Sequence, residues 1–212
     1  MENKVKEKIE PSRNGAIDLA RIISMLMVVI LHIQGHGGLL SGATGGMLYV
    51  VKFSEQLCII GVNLFALITG YVWYGKKFKL KNIISLWFQV LFYSLVITII
   101  VSICQNTQLT FQDIIKMFLP VSNKLYWYFS SYVLLFFLIP VINIVIEKTD
   151  KKQSIIFLSI ILFLCCVLNS KIDVFTLNNG YSSLWLAVMA SIGAFIKKYN
   201  FNIKIKNYVF VS

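Results

Sequence analysis

Six apolar runs, separated by short polar connections rich in lysine, account for most of the chain. They fall at about 17–34, 57–75, 83–104, 125–146, 154–169 and 181–196, against the roughly 20 apolar residues a helix needs to cross a bilayer. The pattern predicts an all-α, polytopic transmembrane helix bundle of about six spans. The second to fourth runs have full length, whereas the fifth and sixth are short, as tilted, buried or partly re-entrant helices would be. The sequence stops on another apolar stretch, NYVFVS, so the expectation is the N-terminal part of a longer bundle. No repeat, low-complexity tract or soluble domain is visible. The division is a cytoplasmic N-terminal segment, 1–16, and a transmembrane domain, 17–212.

Composition agrees with the pattern. Of 212 residues, 58% are hydrophobic and 14% charged, too apolar for one soluble domain. A net charge of +11 would ordinarily raise nucleic acid as a partner, but the placement of the lysines argues for the lipid bilayer instead. Lys4, Lys6, Lys8, Arg13 and Arg21 precede or open the first run; Lys76, Lys77, Lys79 and Lys81 follow the second. Lys148, Lys151 and Lys152 follow the fourth, and Lys197, Lys198, Lys204 and Lys206 follow the sixth. The alternate connections carry only Lys52, Lys116, Lys124 and Lys171, so sixteen of twenty positive residues fall on one side of six alternating spans. The positive-inside rule puts that side, and the N-terminus, in the cytoplasm. One helix more or fewer would destroy this alternation. The first run is not read as a cleaved signal peptide, because Glu2, Glu7, Glu10 and Asp18 lie where a signal's basic region would be. A multi-pass protein of a bacterial plasma membrane is expected.

The first run, AIDLARIISMLMVVILHIQGHGG, carries Asp18, Arg21, His32 and His36. Ionisable residues within a span are costly and mark function by default. Arg21 and His32 are eleven residues apart, which at about 100° per residue is close to three full turns and roughly 16 Å of axis. Both therefore lie on one face, with Asp18 a turn below Arg21 at ion-pair spacing. Plainer roles compete. Arg21 paired with Asp18 is a reasonable interfacial anchor, and His32 a reasonable core histidine bonded to a neighbouring helix. His32 and His36 have the i, i+4 spacing of a metal pair, but no acidic ligand other than Glu55 is at hand, so no metal is expected. The glycines from Gly35 onward put His36 in an outer loop, and the stretch 35–46 reads as a flexible connection.

An aspartate, an arginine three residues on and a histidine eleven beyond that resemble the first helix of the membrane acyltransferase 3 family of O-acyltransferases. The second run, GVNLFALITGYVWYG, is similar to that family's second helix through Gly61, Val62, Phe65, Gly70 and Tyr71. Ala66 and Thr69 stand where the family's pattern has Phe and Ser. The aromatic opening of KLYWYFSSYVLLFFLIP extends the resemblance, which covers about residues 14–146. The family usually has about ten spans.

The resemblance implies transfer of an acyl group, commonly acetyl, from cytoplasmic acyl-CoA to a hydroxyl of an extracytoplasmic or cell-surface glycan. Acyl-CoA is then a co-substrate rather than a resident cofactor, and the partners are the bilayer, acyl-CoA and the glycan, without nucleic acid. In these terms His32 is the base or a transient acyl carrier, since hydroxyl acylation needs a group that exchanges protons near neutral pH. Arg21 binds the donor, through a phosphate or the thioester arm, and Asp18 orients Arg21. Trp127 and His36 are candidates on the acceptor side, although Tyr126, Trp127, Tyr128 and Tyr132 also fit an interfacial aromatic belt. Asn63 and Gln89 are expected to hydrogen-bond between helices, and Pro140 to kink the fourth span. The scattered Cys58, Cys104, Cys165 and Cys166 read as small apolar side chains. The competing function is a polysaccharide exporter or flippase, which also lines a membrane pathway with polar groups.

Overall fold

The computed structural model describes residues 14–108, 110–111, 115, 118, 126–169 and 171–200. The N-terminal segment as far as Arg13, the positive residues Lys116, Lys124, Lys204 and Lys206, and NYVFVS lie outside the described residues. Every regular element among the described residues is helical. They are α1 (Gly15–His36), the one-turn α2 (Leu39–Gly42), α3 (Gly45–Cys58), α4 (Ile60–Trp73), α5 (Leu80–Gln105), α6 (Trp127–Lys148), α7 (Lys151–Phe163) and α8 (Ser183–Tyr199). A π-helical turn, Leu164–Leu168, continues α7, and a 3₁₀ turn, Asn178–Gly180, precedes α8.

Five stretches are long and apolar enough to cross a membrane: Gly15–His36, Gly45–Trp73, Leu80–Gln105, Trp127–Lys148 and Lys151–Leu168. The sixth apolar run forms α8, whose 17 residues stand at the short end of the roughly 17–25 that span a bilayer. The second run is longer than its hydropathy suggests. It begins at Gly45 because α3 continues almost directly into α4, the Ile59 N–H still reaching the Glu55 carbonyl at 3.0 Å. Lys52 and Glu55 hid this extension, since they break the apolar run without breaking the helix. The same backbone corrects the reading of 35–46 as a flexible connection. Most of it is helical, as the end of α1, the turn α2 and the start of α3.

The chain divides into two compact units, the first ending at Phe65 and the second beginning at Ala66. In the first, α1 packs against α3 and α2. Its core holds Val51, Cys58 and Val62 together with the buried polar residues Ser24 and Gln34. Gly61 permits the close approach of α1 and the start of α4. A Cβ there would lie 2.8 Å from the Met27 Cβ and 3.0 Å from the Ser24 carbonyl oxygen.

The second unit is organised around α8. Leu186, Ala190 and Ala194 are fully buried and spaced by four, so one helical stripe faces inward. Leu135, Phe136, Ile139 and Ile146 of α6 pack against this side. The second half of α4 meets α8 backbone to backbone, because Gly70 lies against Ala190 and Gly193 against Leu67. Small residues are what allow membrane helices to approach so closely.

α8 also closes the end of α6. The Lys198 ammonium donates to the carbonyls of Ile146, Glu147 and Thr149 at 2.7, 3.2 and 2.5 Å, and the Tyr199 hydroxyl donates to Thr149 at 3.1 Å. These carbonyls are ones the helix cannot satisfy itself, and a cation suits the negative end of its dipole. Lys198→Met is therefore expected to destabilise the protein by about 1.5–3 kcal/mol, the worth of hydrogen bonds to a charged group. Thermal unfolding in detergent checks this, with Lys198→Arg expected to retain part of the loss.

Candidate active site on the first helix

α1 begins where Asn14 accepts a hydrogen bond from the Ala16 N–H at 3.1 Å, an N-cap that sets the start of the helix. Asp18 lies in the first turn, where a negative charge complements the helix dipole. The Arg21 guanidinium lies 3.7 Å from the Asp18 carboxylate, with the side chains 46% and 26% exposed. So loose and open an ion pair contributes about 0–1 kcal/mol. It is too weak to explain an arginine in a span as a stability device. So loose a pair leaves most of the guanidinium's donors available.

The helix then runs unbroken through His32 to His36, so the spacing that places Arg21 and His32 on one face holds. His36 is the last residue of α1 rather than part of a loop. Gly35 is accommodated within the helix, and termination falls to Gly37 and Gly38. The Gly37 N–H caps the Ile33 carbonyl at 3.0 Å, and Gly38 turns the chain away at φ 74°. The rings of His32 and His36 stand 5.7 Å apart at 39°. The polar face thus extends one turn further than the sequence suggests.

His32 has a defined tautomer. Its Nδ1 lies 2.8 Å from the Val28 carbonyl oxygen, and a carbonyl can only accept, so Nδ1 carries the proton. The neutral ring then presents the lone pair of Nε2 away from its own helix backbone. That nitrogen is equipped to take a proton or to attack a carbonyl carbon.

Rotation of α1 is set on another face. Gln34 is 4% exposed and donates through Nε2 to the Ser54 hydroxyl, while Ser54 donates to the Val51 carbonyl at 3.0 Å. Ser24, fully buried, returns its hydroxyl to the Ala20 carbonyl at 2.7 Å. With these residues against α3 and α4, Arg21, His32 and His36 are left exposed rather than buried within the first unit. Gln34 was not singled out in the sequence, where one amide in VVILHIQGH looks incidental. Its Oε1 has no hydrogen-bond partner among the described residues.

Trp127, the other acceptor-side candidate, belongs to the second unit, at the first residue of α6. Its ring meets Tyr181 edge-to-face, with centroids 4.8 Å apart at 89°, and Tyr128 in turn stacks on Tyr132 at 6.2 Å. Tyr181 is delivered by an ordered connection. Asp173 accepts from the Asn169 amide, the Leu177 N–H and the Asn178 N–H, each at 2.7 Å. These donors hold the Asp173 carboxyl below the usual carboxylate range, the Asn169 amide contributing most. A lowered pKa stabilises the ordered connection fully above the roughly 3.9 of a free aspartate, and that contribution is lost as pH falls through the lowered value. Acidification is therefore expected to speed hydrogen exchange at the Leu177 and Asn178 amides. Asp173→Asn is expected to speed it already at neutral pH.

Gln89 pairs with no neighbouring helix among the described residues. Among the described residues its side chain makes no hydrogen bond, and it lines a cavity of about 260 Å³ between α5 and α6. Trp73, Tyr132 and Phe136 line the same cavity, so Gln89 meets open space rather than a polar partner there.

These features define a membrane-embedded helical protein with an arginine–histidine face on its first span. The sequence model of an acyltransferase-domain family matches residues 14–212, and the chain belongs to that family, the membrane acyltransferase 3 family. It is a multi-pass membrane acyltransferase. No curated protein and no solved structure matches it significantly.

Proposed function

We propose that the protein moves an acyl group, acetyl in the simplest case, from acyl-CoA to a hydroxyl of an extracytoplasmic or cell-surface glycan at a bacterial plasma membrane. The observation that carries His32 into this reaction is its Nδ1 bond to Val28, which leaves Nε2 as the basic nitrogen. Nε2 takes the proton of the acceptor hydroxyl as the oxygen attacks the thioester carbonyl. The C–S bond breaks, the new ester forms, and the CoA thiolate leaves with the proton from His32. In a two-step route the same nitrogen would hold the acyl group transiently.

Arg21 binds the donor through its phosphates or near its thioester arm, and Asp18 orients it. The sixteen-of-twenty charge asymmetry supports placing the Arg21 end of α1 in the cytoplasm, where acyl-CoA is made. His32 then lies roughly 16 Å along the axis toward the outer leaflet, within reach of a donor arm threaded along the helix. Trp127 and Tyr181 are suited to stack against an acceptor sugar ring.

The test is made in cells whose surface glycan is scored for base-labile acyl groups and for export. Arg21→Ala and His32→Ala are expected to abolish acylation while the glycan still reaches the surface. Export that stops while acylation persists would establish an exporter instead.

A further inference from the structure

α1 carries the same apolar chemistry toward its neighbours and away from them. Met27 lies against Gly61 on the packed side, while Leu19, Met25, Leu26, Val29 and Ile33 are exposed on the other. In a bilayer no hydrophobic force chooses between such faces, because lipid tails are as apolar as leucine. The fit at Gly61 sets how close α1 comes, and polar contacts across the interface are left to fix its rotation. Ser24, buried on the packed side, returns its hydroxyl to its own helix at the Ala20 carbonyl. Gln34 is different. Its Nε2 reaches across to the Ser54 hydroxyl of α3, with the Val51 carbonyl at 3.5 Å. Its Oε1 is buried with no hydrogen-bond partner among the described residues.

We propose that Gln34 is a positioning residue for acyl transfer, locking α1 to Ser54 at the rotation that presents His32 to the substrates. The inference rests on the reading of His32 above. The orphan oxygen argues for this role over a stabilising one. A buried polar atom without a partner costs stability, so an apolar side chain of the same length would serve packing better. An amide held at such a cost specifies register instead, as a polar residue buried in a coiled-coil seam does. Gln34 and His32 are two residues apart, about 200° around the helix, so what holds one inward holds the other outward. The leverage is large. A slip of about 20° moves a side chain at the helix's outer radius of about 5–6 Å by roughly 2 Å. A misplacement of about 1 Å already costs a reaction up to about 10²-fold.

The experiment follows acyl transfer from acetyl-CoA to alkali-treated envelope glycan by the full chain in nanodiscs, alongside thermal unfolding. Gln34→Met keeps the length, removes the orphan oxygen and leaves Ser54 bonded to the Val51 carbonyl. It is expected to lower kcat at least tenfold, move the acetyl-CoA KM less than threefold, and leave the unfolding midpoint unchanged or raised. Ser54→Thr keeps the hydroxyl and is expected to keep kcat within twofold. Unaltered kcat in Gln34→Met, with His32→Gln inactive, overturns the positioning role and leaves the reading of His32 standing. A midpoint that falls together with kcat makes Gln34 a stabilising residue and overturns the proposal. Full activity in His32→Gln overturns both.

Discussion

Gly70→Leu yields no folded protein. A Cβ at position 70 would lie 1.8 Å from the Ala190 carbonyl oxygen, and its nearest neighbours are all backbone atoms of α8. No rotamer change relieves such an overlap, so the helices must separate. Separation would uncover the fully buried stripe of Leu186, Ala190 and Ala194. Ordinary overpacking costs about 1–3 kcal/mol, and a main-chain collision exceeds that, comparable with or above the roughly 5 kcal/mol that many domains have in total. Gly193→Leu has the same outcome, since its Cβ would lie 1.9 Å from the Leu67 carbonyl oxygen. Size-exclusion profiles in detergent check both. Gly15→Ala, whose Cβ meets nothing within 4 Å, is the control and elutes normally.

His32→Gln folds and loses the reaction. The exposed ring makes its hydrogen bond to the carbonyl of its own helix, so its removal leaves no buried partner stranded, and glutamine restores much of the volume. General-base catalysis contributes typically 10²–10⁴-fold, and kcat/KM should fall by that range. The unfolding midpoint and CoA affinity should stay near those of the unaltered protein. A drop of less than threefold would place the base elsewhere. His36→Gln, one turn beyond, is expected to act on the acceptor KM more than on kcat.

Much of this architecture was legible because the bilayer imposes a coarse rule on length and polarity. Each of the six apolar runs became a helix, and the Arg21–His32 spacing survived because nothing between them breaks α1. What escaped notice depended on tertiary partners. The start at Gly45 was hidden because Lys52 and Glu55 can project from a helix without ending it. His36 looked like a loop residue because Gly35 resembles a stop, whereas the capping geometry belongs to Gly37 and Gly38. Gly61 and Gly70 were legible as part of a family pattern but not for their reason, which is close approach to α1 in one case and to α8 in the other. Gln34 gave almost no signal, and Gln89 stood out in the sequence as an interhelical partner rather than as the cavity residue it is. A single amide in an apolar run reads the same whether it pins two helices or lines a cavity.

The central claim is that one face of α1 joins a donor at Arg21 to an acceptor at His32. It is tested most directly in sealed proteoliposomes of uniform orientation. Acetyl-CoA labelled in the acetyl group is supplied on the Arg21 side, and alkali-treated envelope glycan, stripped of its esters, is trapped on the other. The account predicts base-labile label on the trapped glycan with the unaltered protein and none with Arg21→Ala or His32→Ala. Equal labelling by the two variants, or labelling only when donor and glycan share a side, would contradict it.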